Sequence, residues 1–428
     1  MQADEHPRKE LTSWKEIGDF LGVSARTAQK WERERGLPVR RLPGLKGRVS
    51  TDLEELEAWK EKNLRRPPWY SNLIFFRCYA AIISALLILA IGVILGGYLS
   101  RSRLGPPETH RLDHKTLIVM DAAGREIWRR VFKEPFFMHD YREEEVEPTR
   151  MVSFGDIDGD GRIETLFVYR PVTHENFGSE LFCFSDKGEQ KWKFTPNAST
   201  SDETETYTPY FVIKNFVVAD LKHTGAKQIL VTSHHESGDP NRFIVLDKKG
   251  SLQEEYWHSG HLPYLVTGDL DGDGVDEVYL GGVNNGHQAA TVVVLQPGHV
   301  TGASTQEPGD KSQLPGFVKG NERAVVLFPR SCIGRRSKYN AVNVLSVAAR
   351  TLKVVVSERI NDAGREVIYY LAYDKGSLNV VSHTYADLLA DLHNELEARG
   401  ELDHHLSTEE IDQLKHNVII RQRGTQTP

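Results

Sequence analysis

The hydrophobic and polar positions divide the chain into three stretches with different periodicity. Between Trp14 and Trp59, apolar residues recur every three to four positions, which is the spacing of amphipathic helices. A long run without charge follows. Beyond residue 105 the chain alternates between short apolar runs and glycine-containing turns, which is typical of strands. This order predicts a small helical region, one very hydrophobic helix and a larger β-rich region.

The first region contains the signals of two short helices followed by a hairpin. Ser13 to Glu16 matches a capping box that opens a helix, and Gly22 ends that helix. Ser24 is a good N-cap for a second helix over roughly residues 25–34. The segment VRRLPGLKGRVS then predicts a two-stranded wing, and a second capping box from Thr51 to Glu54 predicts a third helix.

Charge is distributed unevenly along the chain. The whole chain has a formal net charge of −7, whereas the segment from Ser24 to Ser50 contains eight basic residues and two acidic ones. A helix face that is merely solvated usually mixes both signs, so this local excess favours a polyanionic partner. The spacing of Arg26, Lys30 and Arg33 places them together on the outer face of the second predicted helix.

The stretch SWKEIGDFLGVSARTAQKWERERGLPVRR resembles the winged helix-turn-helix of the MerR and excisionase families, over about residues 11–62. The resemblance implies DNA binding, with the second helix in the major groove. Some folds of this kind serve as protein-interaction modules instead, and many act as dimers, which leaves a homodimer open. The candidate DNA-binding residues are Arg26, Thr27, Lys30, Arg33, Arg40, Arg41, Lys46 and Arg48.

The hydrophobic run predicts a transmembrane helix. From Cys78 to Leu99 there is no charged residue over 22 positions, and about 20 residues suffice to cross a bilayer. Trp69, Tyr70 and Tyr98 flank the run in the manner of interfacial anchors. Lysine and arginine slightly favour a cytoplasmic N-terminus, where DNA is also found. We therefore expect a single-pass protein of the inner (cytoplasmic) membrane, with an extracytoplasmic C-terminal domain.

An acidic loop occurs twice in the β-rich region, at residues 155–164 and 268–277. The pattern D-x-D-x-D-G-x-x-E brings oxygen ligands together around a tight turn, and a hard-oxygen set favours Ca²⁺ over Mg²⁺. An EF-hand is excluded because its twelfth position is Phe167 or Leu280 instead of glutamate. A third copy at Asp220 has lost two carboxylates to Lys222 and Thr224 and is expected to be metal-free. The predicted ligands are Asp156, Asp158, Asp160, Glu164, Asp269, Asp271, Asp273 and Glu277 through their carboxylates, and Arg162 and Val275 through their main-chain carbonyls.

These loops resemble the FG-GAP (VCBS) repeats of integrin-α-like β-propellers, and Phe154-Gly155 supplies the FG dipeptide. The resemblance implies structural Ca²⁺ in two loops. A strand–turn–strand unit also recurs, at residues 117–128, 181–192, 243–257 and 370–381, and its tryptophans resemble those of quinoprotein-like repeats. For Trp128 and Trp192 the pattern favours packing between blades. The repeat spacing predicts about five blades, with residues 117–133 closing the ring against residues 367–382.

The predicted fold class is therefore multidomain: a small α-helical winged helix-turn-helix, one transmembrane helix, and an all-β propeller with C-terminal helices. The predicted domains are a DNA-binding domain at 1–66, a linker and transmembrane helix at 67–104, a propeller at 105–384 and a helical segment at 385–428.

The function predicted from these parts is that of a membrane-tethered DNA-binding regulator whose outer propeller senses an unknown extracytoplasmic ligand or protein. The alternative is an extracytoplasmic adhesion or scaffold protein whose N-terminal domain binds another protein. The sequence contains no G-x-S-x-G, Walker or H-E-x-x-H motif, so we do not expect an enzyme. Pairing of Cys183 with Cys332 stays open.

Overall fold

The chain forms two compact units, Met1–Arg103 and Leu104–Pro428. A computed structural model describes residues 10–41, 48–64, 79–93, 104–141, 151–172, 178–202, 206–305, 313–358 and 365–423. Of these described residues, 42% are in strands and 21% in helices.

The first unit combines helices with a small sheet. Its strands form an antiparallel sheet in the order β1-β3-β2, beside which the helices bury one shared core. That core includes Ile17, Ala28 and Leu56, which are completely buried. The elements are β1 (Glu10–Leu11), α1 (Trp14–Leu21), α2 (Ala25–Arg35), β2 (Arg40–Arg41), β3 (Val49–Asp52) and α3 (Leu53–Leu64).

Side-chain caps set the ends of these helices. The Ser13 hydroxyl accepts from the Glu16 amide at 3.3 Å, and the Thr12 amide donates to the Glu16 carboxylate at 2.8 Å. Gly22 ends α1 in the left-handed region, and Ser24 caps α2. The box predicted at Thr51 is wrong, because Thr51 lies in β3 and its hydroxyl donates to the carbonyl of Pro38. Asp52 caps α3 instead, accepting from the Glu54 amide at 3.0 Å.

The predicted transmembrane helix is not supported by the described residues. Residues 79–93 are helical (α4) and their apolar side chains are exposed. None of the described helices is both long and apolar enough to cross a membrane. The predicted localisation as a single-pass protein of the inner membrane is therefore wrong. Cys78, residues 94–99 and the flanking Trp69, Tyr70 and Tyr98 lie outside the described residues.

In the described residues of the second unit, the strands form five larger antiparallel sheets and one separate two-stranded pair; strands that follow one another in the chain are neighbours in each sheet, except that the last described strand joins the fourth sheet. The first three sheets contain β4 (Thr109–Asp113), β5 (Thr116–Met120) and β6 (Glu126–Val131); then β7 (Val152–Gly155), β8 (Glu164–Tyr169), β9 (Glu180–Phe184) and β10 (Gln190–Phe194); then, after the separate pair β11 (Thr200–Ser201) and β12 (Thr206–Tyr207), β13 (Phe211–Ala219), β14 (Gln228–His235), β15 (Asn241–Leu246) and β16 (Leu252–His258).

The last two sheets are followed by two helices and a returning strand. The fourth sheet contains β17 (Gly260–Gly268), β18 (Glu277–Asn284), β19 (Ala289–Leu295) and β20 (Ala324–Leu327); the fifth contains β21 (Ala341–Ala348), β22 (Thr351–Ser357), β23 (Glu366–Asp374) and β24 (Ser377–Tyr385); then come α5 (Asp387–Ala398), α6 (Thr408–His416) and β25 (Ile419–Gln422), which pairs with β20.

The core of this unit lies between successive sheets. Alternate residues of a strand point to opposite faces of its sheet. In β8, Leu166 packs towards the third sheet, whereas its neighbour Phe167 packs towards the first. In β18, Val278 and Tyr279 divide in the same way between the third and fifth sheets. The inner sheets are therefore buried on both faces, which explains why their strands read as continuous apolar runs.

The predicted closed propeller is wrong. Among the described strands, none of the first sheet pairs with the fifth, and the first sheet shares its core with the second. The fifth sheet instead packs with Leu389 and Leu396 of α5 and Leu414 of α6. Because these helices cover an apolar face of the fifth sheet, that sheet does not need to pack against the first sheet. The sheets therefore form an open series. The predicted fold class is corrected, because the described residues form a predominantly β-sheet structure without a closed propeller or a membrane-spanning helix.

Two tryptophans join successive sheets as the repeat pattern predicts. Trp128 of β6 lies on the β9–β10 hairpin, where a Cβ at Gly188 would come within 2.7 Å of the indole. Trp192 of β10 lies on the β15–β16 hairpin, where a Cβ at Gly250 would come within 2.6 Å. The Trp192 indole also donates to the carbonyl of Lys248 at 3.1 Å. Only glycine leaves room for this contact, and the expected packing role of both tryptophans is confirmed.

Candidate functional site

The first acidic loop connects β7 to β8 and is held by its own carboxylates. Asp156 accepts from the amides of Gly159 at 2.7 Å and Gly161 at 3.0 Å. Gly161 has φ +83°, a left-handed conformation that residues with a Cβ rarely adopt. The buried Glu164 carboxylate accepts from the Ile157 amide at 2.8 Å and lies under the loop. Hydrogen bonds within the loop therefore hold its tight turn.

The second acidic loop connects β17 to β18 and has the same construction. Asp269 accepts from the amides of Gly272 at 2.6 Å and Gly274 at 3.0 Å. Glu277 is completely buried at the position equivalent to Glu164, and burial raises the pKa of its carboxyl group to about 7. The Tyr279 hydroxyl donates to Glu277 at 2.9 Å. The two loops thus hold equivalent residues in equivalent places.

The structure brings together three carboxylates in each loop. One oxygen each from Asp156, Asp158 and Glu164 lie within 4.8 Å of one another, and the same is true of Asp269, Asp271 and Asp273. The other predicted carboxylates, Asp160 and Glu277, belong to the same loops without joining these groups. The amides of Arg162 and Val275 donate to Asp160 and Asp273, both at 2.8 Å. The donor set is all oxygen and negatively charged, which fits a hard divalent cation such as Ca²⁺.

A basic side chain that sequence reasoning missed faces each loop. Lys191 of β10 contacts Asp158 at 2.5 Å and Glu164 at 2.9 Å. Burial alone would lower the pKa of the Lys191 ammonium group. Its hydrogen bonds to Asp158 and Glu164 outweigh burial, so the pKa is raised. They also lower the pKa of Asp158. In the second loop, the Arg323 guanidinium forms ion pairs with Asp271 and Glu277.

The degenerate third loop has neither the full set of carboxylates nor a basic side chain at the position of Lys191. It connects β13 to β14, and Asp220 still accepts from the amides of Thr224 at 3.0 Å and Gly225 at 2.5 Å. Gln228 stands where the intact loops have a glutamate, and Gln253 stands at the hairpin position of Lys191. The sheet whose loop has fewer carboxylates thus has a neutral side chain at the position of Lys191, and that side chain donates to Asp247 of its own hairpin at 3.5 Å. Aligning the strand–turn–strand repeats with the acidic loops could have identified Lys191 from the sequence.

The candidate DNA-binding residues occupy α2 and the adjoining hairpin. Arg26, Lys30 and Arg33 are exposed on α2 at positions i, i+4 and i+7, which places them on one face of the helix. Thr27 is partly buried, and its amide and hydroxyl contact Ser24 at the helix cap, so its role there is structural. Lys46 lies outside the described residues.

Carboxylates compete for part of this basic surface. Arg40 contacts Glu55 at 3.0 Å, Arg41 contacts Glu32 at 3.2 Å and Lys30 lies 3.8 Å from Glu34. Exposed pairs of this kind contribute between zero and about 1 kcal/mol, so they exchange readily for phosphate contacts. No such pair is found for Arg26, Arg33 or Arg48 among the described residues.

A cavity of about 280 Å³ lies beside the third and fourth sheets. Its lining includes Tyr256, His258 and Glu322, and the Tyr256 hydroxyl donates to Glu322 at 2.7 Å. His258 is completely buried. Its Nε2 atom faces the Val283 carbonyl at 3.2 Å, whereas its Nδ1 atom has no hydrogen-bond partner within the described part of the chain. Burial lowers the pKa of His258 to about 4, so the ring is neutral at pH 7.

Comparisons with known proteins do not place the chain in a family. No protein-family model matches it, and no curated protein matches it in sequence. Similar solved structures include BBS1N in complex with ARL6DN, at 12% identity and a TM-score of 0.33, covering 67% of this chain and 70% of that chain. A protein of unknown function from Bacteroides caccae matches at 10% identity and a TM-score of 0.29, covering 66% and 72%. The rhamnogalacturonan lyase YesW matches at 11% identity and a TM-score of 0.29, covering 56% and 54%.

The family assignments made from the sequence are corrected. No protein-family model matches the chain, and its described residues form an open series of β-sheets without a helix able to span a membrane. The resemblances to the MerR and excisionase families and to FG-GAP (VCBS) propellers are therefore wrong as assignments of this chain.

Proposed function

We propose that the protein is a DNA-binding regulator, that α2 and the β2–β3 hairpin contact the DNA, and that Ca²⁺ braces its β-sheet unit. The observation that carries the proposal is the exposed basic face of α2, formed by Arg26, Lys30 and Arg33 directly after the turn from α1. A short helix that presents basic residues from its first turn onward fits the major groove.

Two further features support DNA as the partner of the first unit. Ala28, on the buried side of α2, fixes the orientation of the helix and therefore the direction in which its opposite side faces. Arg40 and Arg41 begin the neighbouring hairpin, and Arg48 lies at its return, close in sequence to Val49 of β3. Basic residues on a helix and on an adjoining hairpin can contact phosphates on both sides of a groove.

Charge reversal on α2 tests this proposal in the full-length chain. Arg26→Glu and Arg33→Glu should each weaken binding to duplex DNA at least about tenfold, and should reduce the slope of log affinity against log salt by about one. Fluorescence anisotropy with a mixed-sequence duplex measures both quantities. Lys249→Glu, which makes the same charge change on an exposed hairpin of the β-sheet unit, is the matched control. Equal affinities for wild type and both α2 variants at low salt would contradict the proposal.

A protein-binding scaffold is the second candidate, and the ion pairs of the first unit favour it. Arg40, Arg41 and Lys30 already contact carboxylates of the same unit, as in a solvated surface. Under this reading the α2 variants would leave DNA affinity unchanged and would instead weaken capture of a protein partner.

Calcium in the second unit is supported by the matched construction of the two acidic loops. Each loop brings three carboxylate oxygens within 4.8 Å of one another on a hydrogen-bonded turn. Lys191 and Arg323 show that these carboxylates attract positive charge. Bound Ca²⁺ would displace Lys191 and Arg323 from these oxygens and connect the ends of two strands in each sheet, which is a structural role.

A further inference from the structure

A different group of potential ligands lies where the C-terminal helices meet the loop after β20. One ligand atom from each of Cys332, His393, His404 and Glu410 lies within 4.8 Å of the other three. Cys332 follows β20, His393 lies on α5, His404 lies between the two helices and Glu410 lies in the first turn of α6. Residues from four separate positions of the chain therefore converge on one point.

His393 is the side chain that indicates a missing partner. Its ring is completely buried, and neither ring nitrogen has a hydrogen-bond partner among the residues that the structure describes. A buried imidazole normally donates through one nitrogen and accepts through the other, so two unpaired nitrogens leave it unsatisfied. The His404 ring lies 5.2 Å from it, centroid to centroid, at 74°. A cation bound between them would give His393 the partner that the protein does not supply.

His404 lies between two carboxylates. Its Nδ1 atom lies 3.0 Å from the Asp403 carboxylate, and its Nε2 atom lies 3.2 Å from Glu410. A metal ion that takes the place of the Nε2 proton would leave Asp403 on Nδ1, which is the carboxylate–histidine–metal arrangement. The Glu410 amide donates to the Ser407 hydroxyl at 3.1 Å, which fixes the start of α6 beneath this carboxylate.

The chemistry of the four ligands selects the metal. One thiol, two imidazoles and one carboxylate form the mixed sulfur, nitrogen and oxygen set that Zn²⁺ accepts in tetrahedral geometry. Zinc–ligand bonds of about 2.0–2.3 Å place ligand atoms roughly 3.3–3.8 Å apart, so small side-chain movements would close the group around the ion. Ca²⁺ is disfavoured because it requires oxygen ligands.

We propose that Cys332, His393, His404 and Glu410 form a structural Zn²⁺ site. Four protein ligands leave no open coordination position, so the site is structural and not catalytic. The ion would tie α5, α6 and the loop after β20 together, beside the core in which these helices cover the fifth sheet. This site is independent of the acidic loops and of DNA binding.

The full-length chain, stripped of metal and returned to buffer with excess Ca²⁺ to saturate the acidic loops, provides the test. Titration with Zn²⁺ should show one tight equivalent and should raise the melting temperature. Titration with Co²⁺ in place of Zn²⁺ should give the intense visible bands of a tetrahedral site and a thiolate charge-transfer band in the near ultraviolet. Absence of both Zn²⁺ binding and these bands would overturn the proposal.

Matched variants separate this site from adventitious binding. His404→Ala should weaken Zn²⁺ binding at least about tenfold, because losing a group that only hydrogen-bonds to a metal ligand already costs about 10–100-fold. His405→Ala is the control, since His405 is exposed and contacts Glu397 at 2.5 Å, outside the group. Equal Zn²⁺ affinity in both variants would overturn the proposal.

Substitution of each of the two cysteines gives a second readout that does not depend on stability. Cys332→Ser should abolish the cobalt charge-transfer band, whereas Cys183→Ala, in the core between the second and third sheets, should leave the band unchanged. A band that persists in Cys332→Ser would show that the thiolate ligand is not Cys332 and would contradict the assignment.

Discussion

At the residue scale, His258 couples the stability of the second unit to pH. Its pKa of about 4 lies below the value of about 6.5 expected in an unfolded chain, because burial disfavours the charged ring and nearby His287 and His261 add repulsion. Between these two values the unfolded chain binds more protons than the folded one. The stabilising contribution is therefore complete above about pH 6.5 and is lost progressively as the pH falls towards 4.

We expect the free energy of unfolding to fall by about 2 kcal/mol between pH 7 and pH 5 because of His258. His258→Gln should flatten this part of the profile, measured by urea unfolding of the β-sheet core at several pH values. His299→Gln, an exposed histidine of the same unit, is the control. A variant profile parallel to that of the wild type would contradict the assignment.

Lys191 competes with any cation for the first acidic loop. Its ammonium group occupies oxygens of Asp158 and Glu164 that are predicted Ca²⁺ ligands. Lys191→Met should therefore tighten Ca²⁺ binding at this loop by about tenfold, which corresponds to about 1.4 kcal/mol, and should destabilise the Ca²⁺-free protein. Calorimetric titration checks the affinity. Lys187→Met, on the exposed β9–β10 hairpin, should leave it unchanged.

At the element scale, the three loops offer a matched comparison. Asp156, Asp220 and Asp269 hold the same position, and each accepts main-chain amides of its own loop. The loop of Asp220 lacks the further carboxylates, so removing this side chain should affect local hydrogen bonds and not metal binding.

We expect Asp269→Asn to remove one equivalent of bound Ca²⁺ and Asp220→Asn to remove none. Both variants lose a charge from a structurally equivalent turn, which separates metal binding from effects on the turn itself. Equilibrium dialysis with ⁴⁵Ca²⁺ measures the stoichiometry. If both variants bind as much Ca²⁺ as the wild type, the second loop is not a calcium site.

The individual elements of the chain were largely predictable. The caps at Ser13, Ser24 and Ser407 start helices where local pattern places them, because a serine hydroxyl satisfies an amide within three residues. The four strand–turn–strand units form hairpins, since alternation and turn residues are also local signals. Thr51 failed for a tertiary reason: its hydroxyl donates to Pro38, thirteen residues away, so it serves the sheet.

At the scale of the whole molecule, the open series of sheets in the second unit requires that the two sheets at its ends bury their apolar faces. The first sheet buries one face against the second, and the fifth sheet is covered by α5 and α6. If Ca²⁺ occupies both loops, it connects strands within the second and fourth sheets, which neighbour the third sheet on either side. Losing the ions should then weaken the central part of the unit.

We expect removal of Ca²⁺ to lower the melting temperature of the full-length protein by several degrees. A ligand present at 100 times its dissociation constant stabilises by about 2.7 kcal/mol per site, and about 1 kcal/mol shifts a unit of this size by roughly 2–4 °C. Differential scanning calorimetry in Ca²⁺ and in excess chelator checks this, with added Mg²⁺ as the control ion. Identical curves in Ca²⁺ and chelator would contradict a structural role for the loops.

The sequence alone determined the local features: helix caps, hairpins, the acidic loops and the concentration of basic residues on α2. All of these follow from residues a few positions apart, whose interactions are available to an isolated segment. Tertiary structure alone decided that the ring stays open, that Lys191 and Arg323 face the acidic loops, and that Cys332 meets His393, His404 and Glu410. These contacts join residues far apart in the chain, so their formation depends on how sheets and helices share their apolar faces.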